Sequence, residues 1–207
     1  MSQLEDGRIY AEYLQAGRGK EGSKGGTVTG RLSSRNPNMQ NLPRGSEIKR
    51  FFIPDTADDV FVYFDYSQLE LRLAAHLSQD PLLIQAYRDN LDLHELTAKA
   101  IGADRQIGKS TNFAMIYDAS AYRLSAMLNK SVDECQNIIN EFYKLYSGYK
   151  KYLQKQMRFM VTNGLVVSEA GRTRRLPEVR ELPSNTKEWR HAISKVITFL
   201  FKVWGLV

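Results

Sequence analysis

A short apolar run that ends in a carboxylate and turns at once into a helix constrains this chain more than any other feature. Residues 60–64 read Val-Phe-Val-Tyr-Phe and deliver Asp65; a helical pattern follows, carrying Leu69, Leu73, Ala74 and Leu77 with charges between them. An unbroken run of β-branched and aromatic residues suits a strand buried on both faces. A carboxylate where such a strand turns into a helix sits where open-sheet proteins place their chemistry. Ser67 and Glu70 also have the spacing of a capping box, serine on one backbone N–H and glutamate reaching back. Taken alone, these residues support a structural cap and a chemical site equally.

Bulk properties narrow the classes. A chain of 207 residues can bury one good-sized core or two small ones. Its 43% hydrophobic and 25% charged content is ordinary for a globular protein. No apolar run is long enough to span a bilayer, and the first residues lack a signal-peptide core, so no membrane partner is expected. The single Cys135 can form neither an internal disulfide nor a zinc site, which suits a reducing interior, and a cytoplasmic location is expected. A formal charge of +6 and a pI near 9.3 favour a polyanionic partner.

The chain opens without a clear domain start, so the first half of a larger protein is expected to precede it. Residues 8–14 read as a short strand, and the glycines Gly17, Gly19, Gly22, Gly25 and Gly26 as a flexible basic loop. Residues 27–43, rich in Thr, Arg, Ser, Asn and Gln, show neither helical nor strand periodicity, and Arg31, Arg35, Arg44, Lys49 and Arg50 beside them can neutralise phosphates. Helices are expected from Pro81 and over residues 92–100, where a lone His94 reads as structural. Residues 132–160 carry apolar and aromatic side chains at helical spacing, as a packed core requires. A hairpin is expected around Ala170-Gly171, then loop and helix over residues 177–196.

Residues 105–118 hold the second informative pattern. At 100° per residue, Arg105, Lys109, Phe113 and Tyr117 form a stripe drifting slowly round one helix face, with Ile107 and Ala114 opposite to pack against the body. Two cations followed by two aromatics suit a ligand with phosphates, a sugar and a base. A solvated amphipathic helix accounts for the same residues equally well.

In this order the segments resemble the polymerase domain of family A DNA polymerases, the bacterial DNA polymerase I type. Thr29-Gly30-Arg31-Leu32-Ser33-Ser34 with Asn36-Pro37-Asn38-Met39-Gln40-Asn41-Leu42-Pro43 is similar to that family's TGRLSS…NPNLQNIP signature. Asp65-Tyr66-Ser67-Gln68-Leu69-Glu70-Leu71-Arg72 resembles its motif A, and Arg105, Lys109, Phe113 and Tyr117 its motif B; Gly171-Arg172 onward resembles GRRRYLP. The similarity runs over residues 6–196. The resemblance implies an α+β class, a partial right-hand polymerase fold: an antiparallel palm-sheet fragment and mostly helical fingers, with the thumb and the rest of the palm missing. Residues 1–79 would be partial palm with motif A, 80–197 fingers with motif B, and 198–207 a tail.

By the same resemblance the function is template-directed addition of deoxynucleotides to a primer 3′ end, with primer-template DNA and deoxynucleoside triphosphates as partners. Asp65 would hold two Mg²⁺ ions, helped by the backbone carbonyl of Tyr66, and Asp65 and Lys109 would be catalytic. Arg105 and Lys109 would bind the triphosphate, Phe113 would meet the sugar, and Tyr117 would stack near the nascent base pair. Glu70 would exclude a 2′-hydroxyl. Gln68 would contact nucleotide, and Arg31, Asn38 and Gln40 would contact DNA. A single-subunit RNA polymerase relative, or a non-catalytic nucleic-acid-binding remnant, would share much of this surface.

Three departures accompany the resemblance. Asp118 stands where the family usually has glycine, a residue that allows backbone geometry aspartate tolerates less well, and an acidic group there would sit near the template. Ala114 also replaces a glycine, a milder change inside a helix. The family's His-Asp-Glu motif C, which brings the second metal-binding aspartate, is not found, and this chain alone is expected to be inactive. The segment preceding that motif reads Thr198-Phe199-Leu200-Phe201-Lys202-Val203-Trp204. One base restored before it can yield Asn-Phe-Pro-Ile-Gln-Gly-Leu, close to the family's Asn-x-Pro-x-Gln-Gly, so a one-base frameshift at Thr198 is expected.

Overall fold

Asp80 shows how the helical part of this chain is tied together. In the computed structural model, which describes residues 4–15, 31–43, 45, 47–182 and 186–202, Asp80 is fully buried. Its Oδ1 accepts from the N–H groups of Leu82 and Leu83 at 3.1 Å each. Its Oδ2 accepts from Gly148 at 2.7 Å and Tyr149 at 3.1 Å. One carboxylate therefore caps two helix N-termini whose N–H groups lack intrahelical partners.

Two compact units divide the chain; Met1–Ser67 makes up most of one, and Gln68–Lys202 is the other. The first holds two-stranded antiparallel sheets. Strand β1 (Leu4–Glu5) pairs with β2 (Arg8–Ile9) through a turn at Asp6-Gly7, both with positive φ, as a tight hairpin turn demands. Strand β3 (Glu12–Leu14) pairs with β4 (Ser33–Arg35), Tyr13 opposite Ser34, and Arg35 grips Glu12 through Nε at 2.7 Å and Nη2 at 2.6 Å. Residues 33–35 thus belong to a strand and Met39–Asn41 to a 3-10 turn, where the composition had suggested irregular loop. The basic glycine loop over residues 17–26 and Thr29-Gly30 lie outside the described residues, as does the tail beyond Lys202.

The strand expected at residues 60–64 is absent. The segment has no regular secondary structure and no ladder partner among the described residues, and its side chains are 51% to 91% exposed. Apolar composition alone does not make a strand; its N–H and C=O groups need a neighbour to bond.

In the second unit, α1 (Leu69–Ser78) buries Leu71, Ala74 and Ala75, and α2 (Pro81–Arg88) buries Leu83 and Ala86. The N-cap of α1 is Gln68, left-handed and without a side-chain cap bond, one residue beyond the serine of the capping-box reading. Helices α3 (Leu93–Ile101), α4 (Arg105–Ile116), α5 (Ala121–Leu128) and α6 (Val132–Leu145) follow, each with a polar N-cap, Asp92, Asp104, Ser120 and Ser131 respectively. The long aromatic pattern breaks once, at Tyr146, before α7 (Ser147–Asn163). Phe142 lies edge-on to Tyr146 and Tyr149, with centroids 4.9 and 6.4 Å away, at the centre of the core. Strands β5 (Leu165–Val167) and β6 (Thr173–Arg175) form the expected hairpin, with Gly171 at φ 78° in its turn. Helix α8 (Lys187–Lys202) closes the unit and buries Ile193, Val196, Ile197, Phe199 and Leu200. The whole is α+β, mostly helical with small antiparallel sheets. Among the described residues no helix is long and apolar enough to cross a membrane.

Candidate functional site

Helix α4 starts where Asp104 accepts from the Ile107 N–H at 2.8 Å and presents the stripe as its spacing implied. Arg105, Lys109 and Phe113 are exposed, and Tyr117, the C-cap, is half-buried. Behind the stripe Thr111, Asn112, Ala114 and Met115 are buried, while Ile107 is only half-buried. Gly108 lets α4 lie directly on α3: a Cβ there would fall against the carbonyl of His94 and against Ala98.

That close approach puts His94 under the stripe. Its ring lies 5.9 Å from Phe113, and its Nδ1 is 2.9 Å from the Asn112 amide nitrogen. The amide donates, so the imidazole proton sits on Nε2. Burial, with Arg105 and Lys109 nearby, holds the imidazole below its usual pKa, against an upward pull from Asp92. The buried network continues: Tyr146 OH lies 2.9 Å from Thr97 Oγ1, which reaches Asn112 Oδ1 at 2.7 Å and the Leu93 carbonyl at 2.9 Å. The sequence reads His94 as structural, which its burial fits; the network it joins is what the lone residue does not announce. The signal that could have found it was the Asp92 cap, which fixes the first turn of α3 beside the start of α4.

Arg105 donates through Nε to Asp92 Oδ2 at 2.6 Å. Lys109 forms no side-chain hydrogen bond or ion pair with the described residues. At the far end, Tyr117 OH lies 3.5 Å from Glu70 Oε1, and Tyr87 OH donates to Gln68 Oε1 at 3.1 Å with Arg72 stacked 4.5 Å over the Tyr87 ring. Arg105, Lys109, Phe113, Tyr117, Glu70 and Gln68 all belong to the helical unit. Asp118 adopts φ 50°, the left-handed geometry that favours glycine. Its carboxylate turns inward, accepting from Tyr143 OH at 2.6 Å, while Tyr149 OH holds the Ile116 carbonyl at 2.9 Å.

The remaining candidates lie in the first unit. Asn38 accepts from the Gln40 N–H at 3.1 Å, and Gln40 donates to the Leu32 carbonyl at 3.3 Å, so both side chains shape their own loop. Arg31 is half-buried. Asp65 and Tyr66 are exposed, outside any regular element. A carboxylate and a backbone carbonyl are oxygen donors of the class Mg²⁺ takes, alongside water and phosphate oxygens. They do not make up a site alone, and no group of three or more acidic, histidine or cysteine side chains gathers among the described residues.

The family profile for DNA polymerase family A matches residues 1–197. The chain belongs to DNA polymerase family A. It is 32% identical over 201 residues to DNA polymerase I of Caldicellulosiruptor bescii, covering 91% of this chain and 22% of that protein. Against DNA polymerase I of Synechocystis the identity is 40% over 178 residues, 81% of this chain and 17% of the relative. Among solved structures, the POL domain of Pol1 from M. smegmatis, in complex with DNA primer-template and dNTP, superposes with a TM-score of 0.76 at 28% identity, over 97% of this chain and 36% of that one. This family A chain thus spans about a fifth of the length of the curated relatives it matches.

Proposed function

We propose that this chain carries the nucleotide-binding face, and one metal-binding carboxylate, of a DNA-directed DNA polymerase that extends a primer 3′ end. The observation that carries the reading is the arrangement on one unit of Arg105, Lys109, Phe113 and Tyr117 in a stripe, with Glu70 at its Tyr117 end. Residues 1–79 read as palm and 80–197 as fingers, and the relative solved with primer-template and dNTP supports the same partners here.

Each side chain then has physical work to do. The fork of Arg105 and the point charge of Lys109 bind phosphate oxygens and oppose the charge that builds on the departing pyrophosphate. Phe113 packs on the sugar, and the Tyr117 ring offers a face to the nascent base pair. Glu70, reached by Tyr117 OH, occupies the space a 2′-hydroxyl would need. Gln68, tied to Tyr87, keeps the start of α1 in place beside the nucleotide. Arg31 suits minor-groove acceptors, which vary little with sequence, and Asn38 and Gln40 present an ordered loop to the same duplex. Asp65 and the Tyr66 carbonyl would hold Mg²⁺. When bound, the metal lowers the pKa of the primer hydroxyl and neutralises phosphate charge.

The test is fluorescence titration of the 207-residue chain with a deoxynucleoside triphosphate in the presence of primer-template DNA. Arg105→Ala and Lys109→Ala should each weaken binding by about tenfold, the scale of a lost charge-assisted hydrogen bond. Glu70→Ala should narrow the preference for deoxyribo- over ribonucleotide. Undiminished binding in both cation variants would remove the basis of the reading.

A further inference from the structure

We infer that Asp92 is a positioning residue that orders Arg105 for anion binding, an inference resting on the nucleotide reading above. Asp92 uses both carboxylate oxygens. Oδ1 accepts from the N–H groups of His94 at 2.8 Å and Glu95 at 3.3 Å, capping α3, and Oδ2 accepts from Arg105 Nε at 2.6 Å. The cap prevents the carboxylate from swinging, so the guanidinium is attached to a fixed point of the fold rather than to a mobile side chain.

What matters is which donor Asp92 takes. A guanidinium has five N–H donors, and a fork-to-fork ion pair would consume those on Nη. Here only Nε is engaged, and no described residue bonds either Nη. The outward end of the fork is left for a ligand, with Lys109 one turn farther along the same stripe. Long flexible cations lose rotamer freedom when they bind, and ordering one beforehand lowers that cost. The Arg105 hydrogen bond, above all, holds the Asp92 carboxyl below the usual carboxylate range, so the attachment persists at neutral pH.

Simple electrostatics makes the opposite prediction. A carboxylate beside an anion site repels the anion, and removing its charge should tighten binding. The sign of the effect therefore decides the matter. The probe is inorganic tripolyphosphate, titrated calorimetrically into the 207-residue chain at fixed ionic strength. Asp92→Asn keeps an Oδ1 acceptor for the α3 cap, because asparagine caps as well as aspartate. It should weaken binding roughly threefold to fivefold, the scale of a partly exposed ion pair, while the thermal transition stays in place. In an Arg105→Ala background the same substitution should weaken nothing further, as coupling between a positioning residue and its target requires.

Binding that stays level or tightens in Asp92→Asn, while Arg105→Ala and Lys109→Ala still weaken it, would overturn the role of Asp92 and leave the nucleotide reading standing. Equal weakening with and without Arg105 would make Asp92 merely structural and also overturn the inference. A wild-type chain that does not bind the probe, or cation variants that bind as wild type does, would bring down both.

Discussion

Asp118 sets two residue-scale costs against each other. Its left-handed backbone at φ 50° would suit glycine, and holding a residue with a Cβ there costs about 1 kcal/mol. Its carboxylate receives the Tyr143 hydroxyl at 2.6 Å, and burial beside Asp118 pushes that phenol's pKa up, so the hydroxyl stays protonated and donating. Losing such a bond and leaving the hydroxyl without a partner costs about 1–3 kcal/mol. The order of stability should therefore be Asp118 near Asp118→Asn, then Asp118→Gly, then Asp118→Ala, which keeps the backbone cost and loses the bond. Urea unfolding midpoints check this; Asp118→Gly above wild type would mean that the backbone term dominates. The Asp118 carboxylate is turned toward α6, something the identity of the residue did not disclose. His94 supplies the pH prediction at this scale. Its folded pKa lies below the unfolded value of 6.5, so the unfolded chain binds the extra proton first. Stability contributed by the neutral ring is complete above pH 6.5 and is lost as pH falls toward the folded pKa. Melting temperatures recorded downward from pH 7 should fall more steeply for the wild type than for His94→Gln.

At the scale of elements, backbone proximity does what side-chain pattern cannot announce. Gly108 and Gly148 each sit where an added Cβ would collide with another element: the first with the His94 carbonyl and Ala98, the second with Asp80. Gly108→Ala should destabilise by about 1–3 kcal/mol, the usual cost of overpacking, by prising α4 from α3. The same change should weaken tripolyphosphate binding, because the Asp92–Arg105 bond spans those two helices; full binding in a destabilised Gly108→Ala chain would separate packing from site geometry. Helix positions were largely legible because their signals are local: Asp80-Pro81, Asp92 and Ser131 announce helix starts, and the hairpin turn at Gly171 reads from its neighbours. The candidate stripe was legible for the same reason, since four side chains on one helix need only the helical repeat. The partners were not. Nothing local says that Asp92 will hold Arg105, that Tyr143 will meet Asp118, or that Asp80 will cap α7 as well as α2, since each joins segments far apart in sequence.

For the molecule as a whole, the failed strand is the instructive case. Residues 60–64 were expected to be buried on both faces, and all five side chains are exposed, Phe64 at 91%. Strand formation is a property of a ladder, so it depended on partners rather than on the Val-Phe-Val-Tyr-Phe run itself. An exposed apolar segment that pairs with no strand among the described residues is a template for strand pairing with another chain. Val60, Val62 and Phe64 alternate with Phe61 and Tyr63, so a paired strand would offer apolar side chains on both faces. Each buried fully is worth roughly 1.5–3 kcal/mol, whereas the repulsion from a net charge of +6 acts through salt and is screened. Concentration-dependent self-association is therefore expected for the 207-residue chain at physiological salt, and should weaken as salt is lowered. Val62→Lys should suppress it, since a charge in the middle of an exposed edge opposes pairing. The same substitution should leave the unfolding of the helical unit within about 0.5 kcal/mol of wild type, as a surface change away from its packing does. Sedimentation velocity across a concentration series checks the association, and urea unfolding of Val62→Lys checks the stability. A wild-type chain that stays monomeric throughout would show that the exposed run is too weak an edge to recruit a neighbour.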